Sequence, residues 1–261
     1  MTSMNRLSTG EFLFDPPRPG AGDYHAHIFH ARLSATANPR YVPDYDASVD
    51  EYIDMLGRHG LDWGTLVQPS FLGVDNSLLL ETLSFDPGRL RGVAVVDDSD
   101  PFMTCTDLDE WHRIGIRGVR LNLIGVNAPD LNTERWVEFL SRMRSLGWHL
   151  EIQAKAERLA ELEHVIEGLP CRVVIDHLGL PDDPDLDVHP LSRLVGLDHL
   201  WVKASGRYRS PKGFADAFLR QLLDRGFTRL VFGSDWPHTR FENAAAGAWE
   251  WAKRPELQPT T

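Results

Sequence analysis

Cysteine is scarce in these 261 residues. Only Cys105 and Cys171 occur, far apart, which excludes a disulfide framework and suits a reducing compartment. No apolar run approaches the ~20 residues of a membrane span, so no membrane partner is expected. Residues 1–22 have no continuous apolar stretch, and no secretory leader is expected there. Basic residues are outnumbered: 27 Lys and Arg face 38 Asp and Glu, a net charge of −11. No basic stripe offsets that balance, which argues against nucleic acid as a partner. A small anionic ligand stays open, because a few arginines inside a pocket can outweigh the distant surface. No Gly-rich phosphate fingerprint follows the first apolar run, which removes the main support for a doubly wound dinucleotide-binding sheet. These absences leave a cytoplasmic globular protein, compatible with a homo-oligomer.

What is present is a repeating pattern. With 42% hydrophobic residues the chain can fill one large core, and about 250 residues is the usual size of an α/β barrel. After a Pro- and Gly-rich segment ending at Gly22, short apolar runs alternate with longer amphipathic ones. The runs predict strands at 23–29, 64–68, 90–96, 116–122, 148–153, 172–177, 200–204 and 229–232. Helical apolar spacing falls between them, at 49–59, 76–85, 106–114, 134–145, 156–168, 191–195 and 211–225. Such alternation specifies a parallel sheet with crossover helices, here closing into a (β/α)8 TIM barrel. The expected organisation is an N-terminal arm over 1–22 and one α/β barrel over 23–261. Few residues follow the eighth strand, and they include Pro255 and Pro259, so a shortened last helix is expected at 249–253.

Barrel enzymes expose their catalytic residues at the C-terminal strand ends. Here those ends are polar. Side chains at i and i+2 of a strand share a face, so His25 and His27 aim two imidazoles at one point. Far along the chain, Gly233-Ser234-Asp235-Trp236-Pro237-His238 follows the eighth strand. Between them stand Ser70 after strand two, Arg120 on four, Glu151 and Gln153 on five, and Asp176 and His177 on six. Strand seven and its sequel supply Lys203, Ser205, Arg207, Tyr208 and Arg209. Polar groups gathered at one end of buried strands are unfavourable unless they bind something or one another. The pattern points to a site.

His-x-His on strand one, a histidine on strand six and the Gly-Ser-Asp-Trp-Pro-His segment resemble the amidohydrolase superfamily. QPSFLGVDN (68–76), RGVAVV (91–96), GIRGVRLN (115–122), VVIDHLG (173–179), VKASGRYR (202–209) and FGSDWPHT (232–239) narrow the resemblance. They are similar to its lactonase branch, typified by 2-pyrone-4,6-dicarboxylate lactonase. The resemblance implies hydrolysis of a small anionic lactone. Asp235 would act as general base on water, while His25, His27 and His177 would polarise the carbonyl and stabilise the oxyanion. Arg120, with Arg207 or Arg209, would clamp a substrate carboxylate. Ser70, Gln153, Tyr41 and His238 would be further substrate contacts. Where the dicarboxylate branch carries another basic residue, Leu123, Ile124, Gly125 and Val126 have no charge, which points to a less charged lactone.

The resemblance also bears on metal. Many amidohydrolases hold Zn²⁺ with the strand-one histidines and the strand-eight aspartate, aided by a lysine or glutamate on strand four and a histidine on strand five. Arg120 and Gln153 stand at those two places here, which argues against a binuclear centre. One Zn²⁺ held by His25, His27, His177 and Asp235 stays open beside a metal-free site. The nearby arginines favour no obligatory metal. Two other readings stay open: a metal-dependent decarboxylase of the same superfamily, and a ligand-binding relative without activity.

Overall fold

The structure, a computed structural model, describes residues 13–33, 35–36, 39–243 and 247–258. Most of the expected arm (1–12), residues 244–246 and Pro259 lie outside the described residues. Eight parallel strands pair in chain order: β1 (Gly22–Ala26), β2 (Trp63–Val67), β3 (Leu90–Ala94), β4 (Ile116–Asn122), β5 (His149–Gln153), β6 (Arg172–Ile175), β7 (Leu200–Ser205) and β8 (Leu230–Gly233). The helices are α1 (Val49–His59), α2 (Ser77–Phe85), α3 (Pro101–Thr104), α4 (Leu108–Ile114), α5 (Glu134–Ser145), α6 (Ala156–Gly168), α7 (Leu191–Leu194) and α8 (Phe214–Asp224). This is a (β/α)8 TIM barrel. None of the helices among the described residues is long and apolar enough to cross a membrane.

Local chemistry sets the helix ends. Ser48 and Glu51 form a capping box at the start of α1, Gly60 ends it at φ 71°, and its inner face buries Tyr52 and Leu56. The unexpected single turn α3 has the same logic, with Asp100 accepting from the Phe102 N–H and Pro101 at the first helical position.

The expected elements return with shifted ends. β1 stops at Ala26 and β6 at Ile175, earlier than 29 and 177. Residues 249–253 are turns rather than the expected helix, and a single 3-10 turn, Pro255–Leu257, follows. Apolar anchoring replaces helical structure in this tail. Trp251 and Leu257 are buried, and Trp249 stacks on His59 of α1 with ring centroids 4.1 Å apart. Burying a leucine such as Leu257 contributes about 1.5–3 kcal/mol, which suits an irregular segment to cover the sheet edge. Gln258 then ties the tail to β1, accepting from the Gly22 N–H (2.9 Å) and donating to the Gly22 carbonyl (3.1 Å).

Alternation along the strands divides inside from outside. On β7, Leu200, Val202 and Ala204 face the helices, while Trp201, Lys203 and Ser205 face the barrel interior. The interior floor is apolar: Tyr24, Trp63, Val174, Trp201 and Val231, joined by Leu13 and Phe14 from the arm. Above it lies a charged layer, and above that the polar mouth. Two glycines make room. A Cβ on Gly118 would lie 2.6 Å from the His149 ring, and one on Gly233 would lie 2.7 Å from the His25 Cβ.

The seam between β1 and β8 has no continuous ladder. Two backbone bonds cross it, His27 N–H to the Trp236 carbonyl (2.7 Å) and Asp235 N–H to the His25 carbonyl (2.8 Å). The buried Asp23 carboxylate adds side-chain bonds, accepting from the Ser234 N–H (2.8 Å), the Ser234 hydroxyl, the His25 N–H (3.0 Å) and the Tyr52 hydroxyl (3.0 Å).

Candidate active site

The seam positions the centre. Because Asp23 and the two backbone bonds join residues 23–27 to 234–236, His25, His27 and Asp235 are brought together from opposite ends of the chain. The Nε2 atoms of His25 and His27 are 3.3 Å apart, and each lies 3.8 Å from Asp235 Oδ1. His27 Nδ1 faces the Val67 carbonyl at 2.7 Å, so this nitrogen carries the proton and Nε2 presents a lone pair. His177 enters from a different geometry than a strand end. It sits in the 3-10 turn Asp176–Gly179 at φ 51°, with Leu178 at φ 55°, both in the left-handed region. Such non-glycine conformations are unfavourable by about 1–3 kcal/mol each and persist where the surroundings impose them. Here Nδ1 bonds the Ser205 hydroxyl at 2.8 Å, and Nε2 is buried with no hydrogen-bond partner among the described residues.

Asp235, also left-handed at φ 59°, is fully buried. Arg209 grips it with Nε to Oδ2 (2.5 Å) and Nη2 to Oδ1 (3.0 Å), and the Tyr208 hydroxyl donates to Oδ2 (2.7 Å). Since the Tyr208 proton goes to Asp235, His238 Nδ1 must donate to the Tyr208 oxygen (3.0 Å). Burial alone would raise the Asp235 carboxyl, but the Arg209 cation and its hydrogen bonds hold it well below the usual range. The group is a carboxylate at any ordinary pH.

Beneath this centre lies the charged layer. Lys203 pairs with Glu151 and stands 3.5 Å from Asp176 Oδ1 and 3.2 Å from His25 Nδ1. Arg120 donates from Nε to Asp176 Oδ2 (2.9 Å) and from Nη2 to Gln153 Oε1 (2.7 Å). Two cations face two carboxylates, so the layer is internally balanced, as burial demands.

Above, a cavity of about 80 Å³ opens to solvent. Its wall includes His27, Arg120, Arg209, Ser70, Gln153 and Tyr41 from the sequence-expected set, with Phe71 and Asn122. It also includes Arg40 and Arg240, which the sequence reading missed. Among the described residues neither forms an ion pair. Arg207 is elsewhere: its guanidinium pairs with Asp216 (2.7 Å) and Glu250 and lies over the Trp251 ring, so of the two arginines only Arg209 reaches the centre. His238 supports Tyr208 and is not part of the cavity wall.

The donor set accommodates one metal ion. Tetrahedral zinc with bonds of about 2.0–2.1 Å needs donors roughly 3.3–3.4 Å apart, and the Nε2 atoms of His25 and His27 meet that spacing. His25, His177 and Asp235 each offer an atom within 4.8 Å of the others. A second donor set, His25, Glu151 and Asp176, surrounds the Lys203 ammonium, which already supplies its positive charge.

Residues 23–261 match the model of the amidohydrolase family. The chain belongs to that family. The 2-pyrone-4,6-dicarboxylate hydrolase of Comamonas testosteroni is 29% identical over 244 residues, covering 86% of this chain and 79% of that protein. The 4-sulfomuconolactone hydrolase of Rhizobium radiobacter is 28% identical over 233 residues, covering 85% and 77%. A crystal structure from Acinetobacter baumannii, a probable 2-pyrone-4,6-dicarboxylic acid hydrolase with citric acid bound, superposes with a TM-score of 0.80 at 35% identity. That match covers 89% of this chain and 91% of the other. These amidohydrolase relatives are hydrolases, and this chain is an enzyme of the same family.

Proposed function

We propose that this amidohydrolase opens a small lactone bearing two anionic groups. The observation that carries the reading is the convergence of the Asp235 carboxylate with three imidazoles, one of which, His27, lines a cavity whose wall also holds Arg40, Arg120, Arg209 and Arg240. Relatives named for 2-pyrone-4,6-dicarboxylate and 4-sulfomuconolactone support the substrate class. Arg40 and Arg240 supply positive charge that residues 123–126 lack, so a second anionic substituent is favoured over the less charged lactone that the sequence implies.

One anion docks on the N–H groups that Arg120 and Arg209 leave toward the cavity, and the other between Arg40 and Arg240. Asp235, with the His27 Nε2 lone pair beside it, orients a water and takes its proton during attack on the lactone carbonyl. His25 and His177 stabilise the developing oxyanion. The ring oxygen then leaves as the alcohol or enol, and the product carries one more carboxylate. No metal is obligatory in this scheme. If one ion is bound, His25, His27, His177 and Asp235 hold it, and it supplies Lewis-acid polarisation of the carbonyl.

The test is ring opening of a panel of dianionic, monoanionic and neutral lactones, followed by loss of lactone absorbance. Asp235→Asn should lower turnover by about 10²–10⁴-fold with folding intact. Folded wild-type protein that opens none of the anionic lactones, with or without added Zn²⁺, sinks the proposal.

A further inference from the structure

The charged layer includes a residue that the scheme above leaves unused. Lys203 is 1% exposed in the middle of β7, and its ammonium touches His25 Nδ1 at 3.2 Å. An ammonium has three N–H donors and no lone pair, so this contact is attractive only where Nδ1 is an acceptor. The remaining donors meet Glu151 and, at 3.5 Å, Asp176 Oδ1. Two carboxylate oxygens compete for a proton on the same imidazole nitrogen, Asp176 Oδ1 at 3.4 Å and Glu151 Oε1 at 3.5 Å. Lys203 is closer than either.

We propose that Lys203 is a positioning residue that fixes the tautomer of His25, holding Nδ1 as an acceptor and placing the ring proton on Nε2. The hydrogen bonds then run in one direction. Lys203 donates to His25 Nδ1, His25 Nε2–H donates to the lone pair on His27 Nε2, and His27 Nδ1–H donates to the Val67 carbonyl. Every proton in that series has a defined place. On the lactonase reading, the His25 Nε2–H, behind His27 of the cavity wall, is the donor that a substrate carbonyl reaching the centre would meet. The same proton removes the lone pair that a metal would need from His25, so the lysine biases the centre toward the metal-free arrangement. The catalytic consequence rests on the lactonase reading; the tautomer itself does not.

The experiment is nitrogen-detected NMR of the wild-type protein with ¹⁵N-labelled histidine, the His25 signals assigned by their absence in His25→Gln. The expected result is a protonated Nε2 and an unprotonated Nδ1 on His25. A proton on Nδ1 overturns the proposal whatever the protein hydrolyses. In Lys203→Met, a neutral side chain of similar length, the proton should move to Nδ1, toward Asp176 and Glu151. With a lactone substrate in hand, kcat should fall about 10²–10³-fold, the loss typical of one oxyanion donor, with KM little changed. Should Lys203→Met fail to fold because two carboxylates lose their cation, the pair Lys203→Met with Glu151→Gln restores the balance and should show the same shift. An unshifted tautomer in either folded variant overturns the assignment. The expected tautomer in a protein that hydrolyses no lactone leaves this inference standing and removes the functional one.

Discussion

Burial decides which protons the site holds. His27 is pushed down to about 4 by desolvation and then by the Arg120 cation, and His177 to about 3, again chiefly by desolvation. Both folded values lie below the ~6.5 of an exposed imidazole, so the unfolded chain binds these protons more tightly. Their contribution to stability is therefore complete above about pH 6.5 and is lost as pH falls toward 4 and then 3. Each accounts for about 3 kcal/mol between pH 7 and 4. Denaturant unfolding at pH 7, 5.5 and 4 should show this fall, and His27→Asn or His177→Asn should flatten it; an unchanged slope in both variants contradicts the assignment. At this scale the sequence was readable in part. His25, His27, Asp235 and Arg120 announce themselves by strand-end spacing. Arg207 and Arg209 do not separate by sequence, because the i, i+2 rule holds only in a strand and residues 207–209 form a 3-10 turn. Arg40 and Arg240 lie in loops, where no periodicity says which way a side chain points. Lys203 was visible as a lysine in the inward phase of an apolar strand, yet only contact with His25 gives it a task.

Among the elements, the β1–β8 seam is the joint on which the site depends. All eight strands were legible as apolar runs, whereas the seam was not, since its main tie is a buried carboxylate rather than a pattern. Desolvation raises Asp23 to about 6 against its hydrogen bonds from Ser234, His25 and Tyr52. The folded value exceeds the unfolded 3.8, so the sign is opposite to that of the histidines. Stability from Asp23 is greatest below pH 3.8 and declines as pH rises through 6. Asp23→Ala orphans four donors, and a destabilisation of about 3 kcal/mol or more is expected at pH 5. By linkage that loss should be about 1–2 kcal/mol smaller at pH 7.5. Urea midpoints at the two pH values measure it, and a larger loss at pH 7.5 would falsify the raised value. The tail shows the converse limit of sequence reading. Prolines correctly argue against a long last helix, but aromatic anchoring at Trp249 and Trp251 does the covering, and that needs tertiary contact to be seen.

Across the whole molecule, surface and interior carry opposite electrostatic characters. The chain has a net charge of −11, while the cavity wall concentrates four arginines. Overall charge thus says little about the charge of the ligand. The arm is equally easy to misjudge. It reads as a Pro- and Gly-rich arm outside the barrel, yet Leu13 and Phe14 are buried in the barrel floor, with Phe14 stacked on His149 at 5.7 Å. Phe14→Ala should lower stability by about 3–5 kcal/mol, as for other buried aromatic truncations. Calorimetry or denaturant titration gives the value, and a loss under 1 kcal/mol would mean that the arm is not packed as described.

That aromatic stopper makes the barrel a vessel with one opening. Phe14, Tyr24, Trp63 and Trp201 are buried together across the bottom, beneath the Lys203–Glu151–Asp176 layer. The open cavity past His27 and Arg120 is then the approach to the centre. On the lactonase reading, a bound substrate is therefore also the plug of its own reaction chamber.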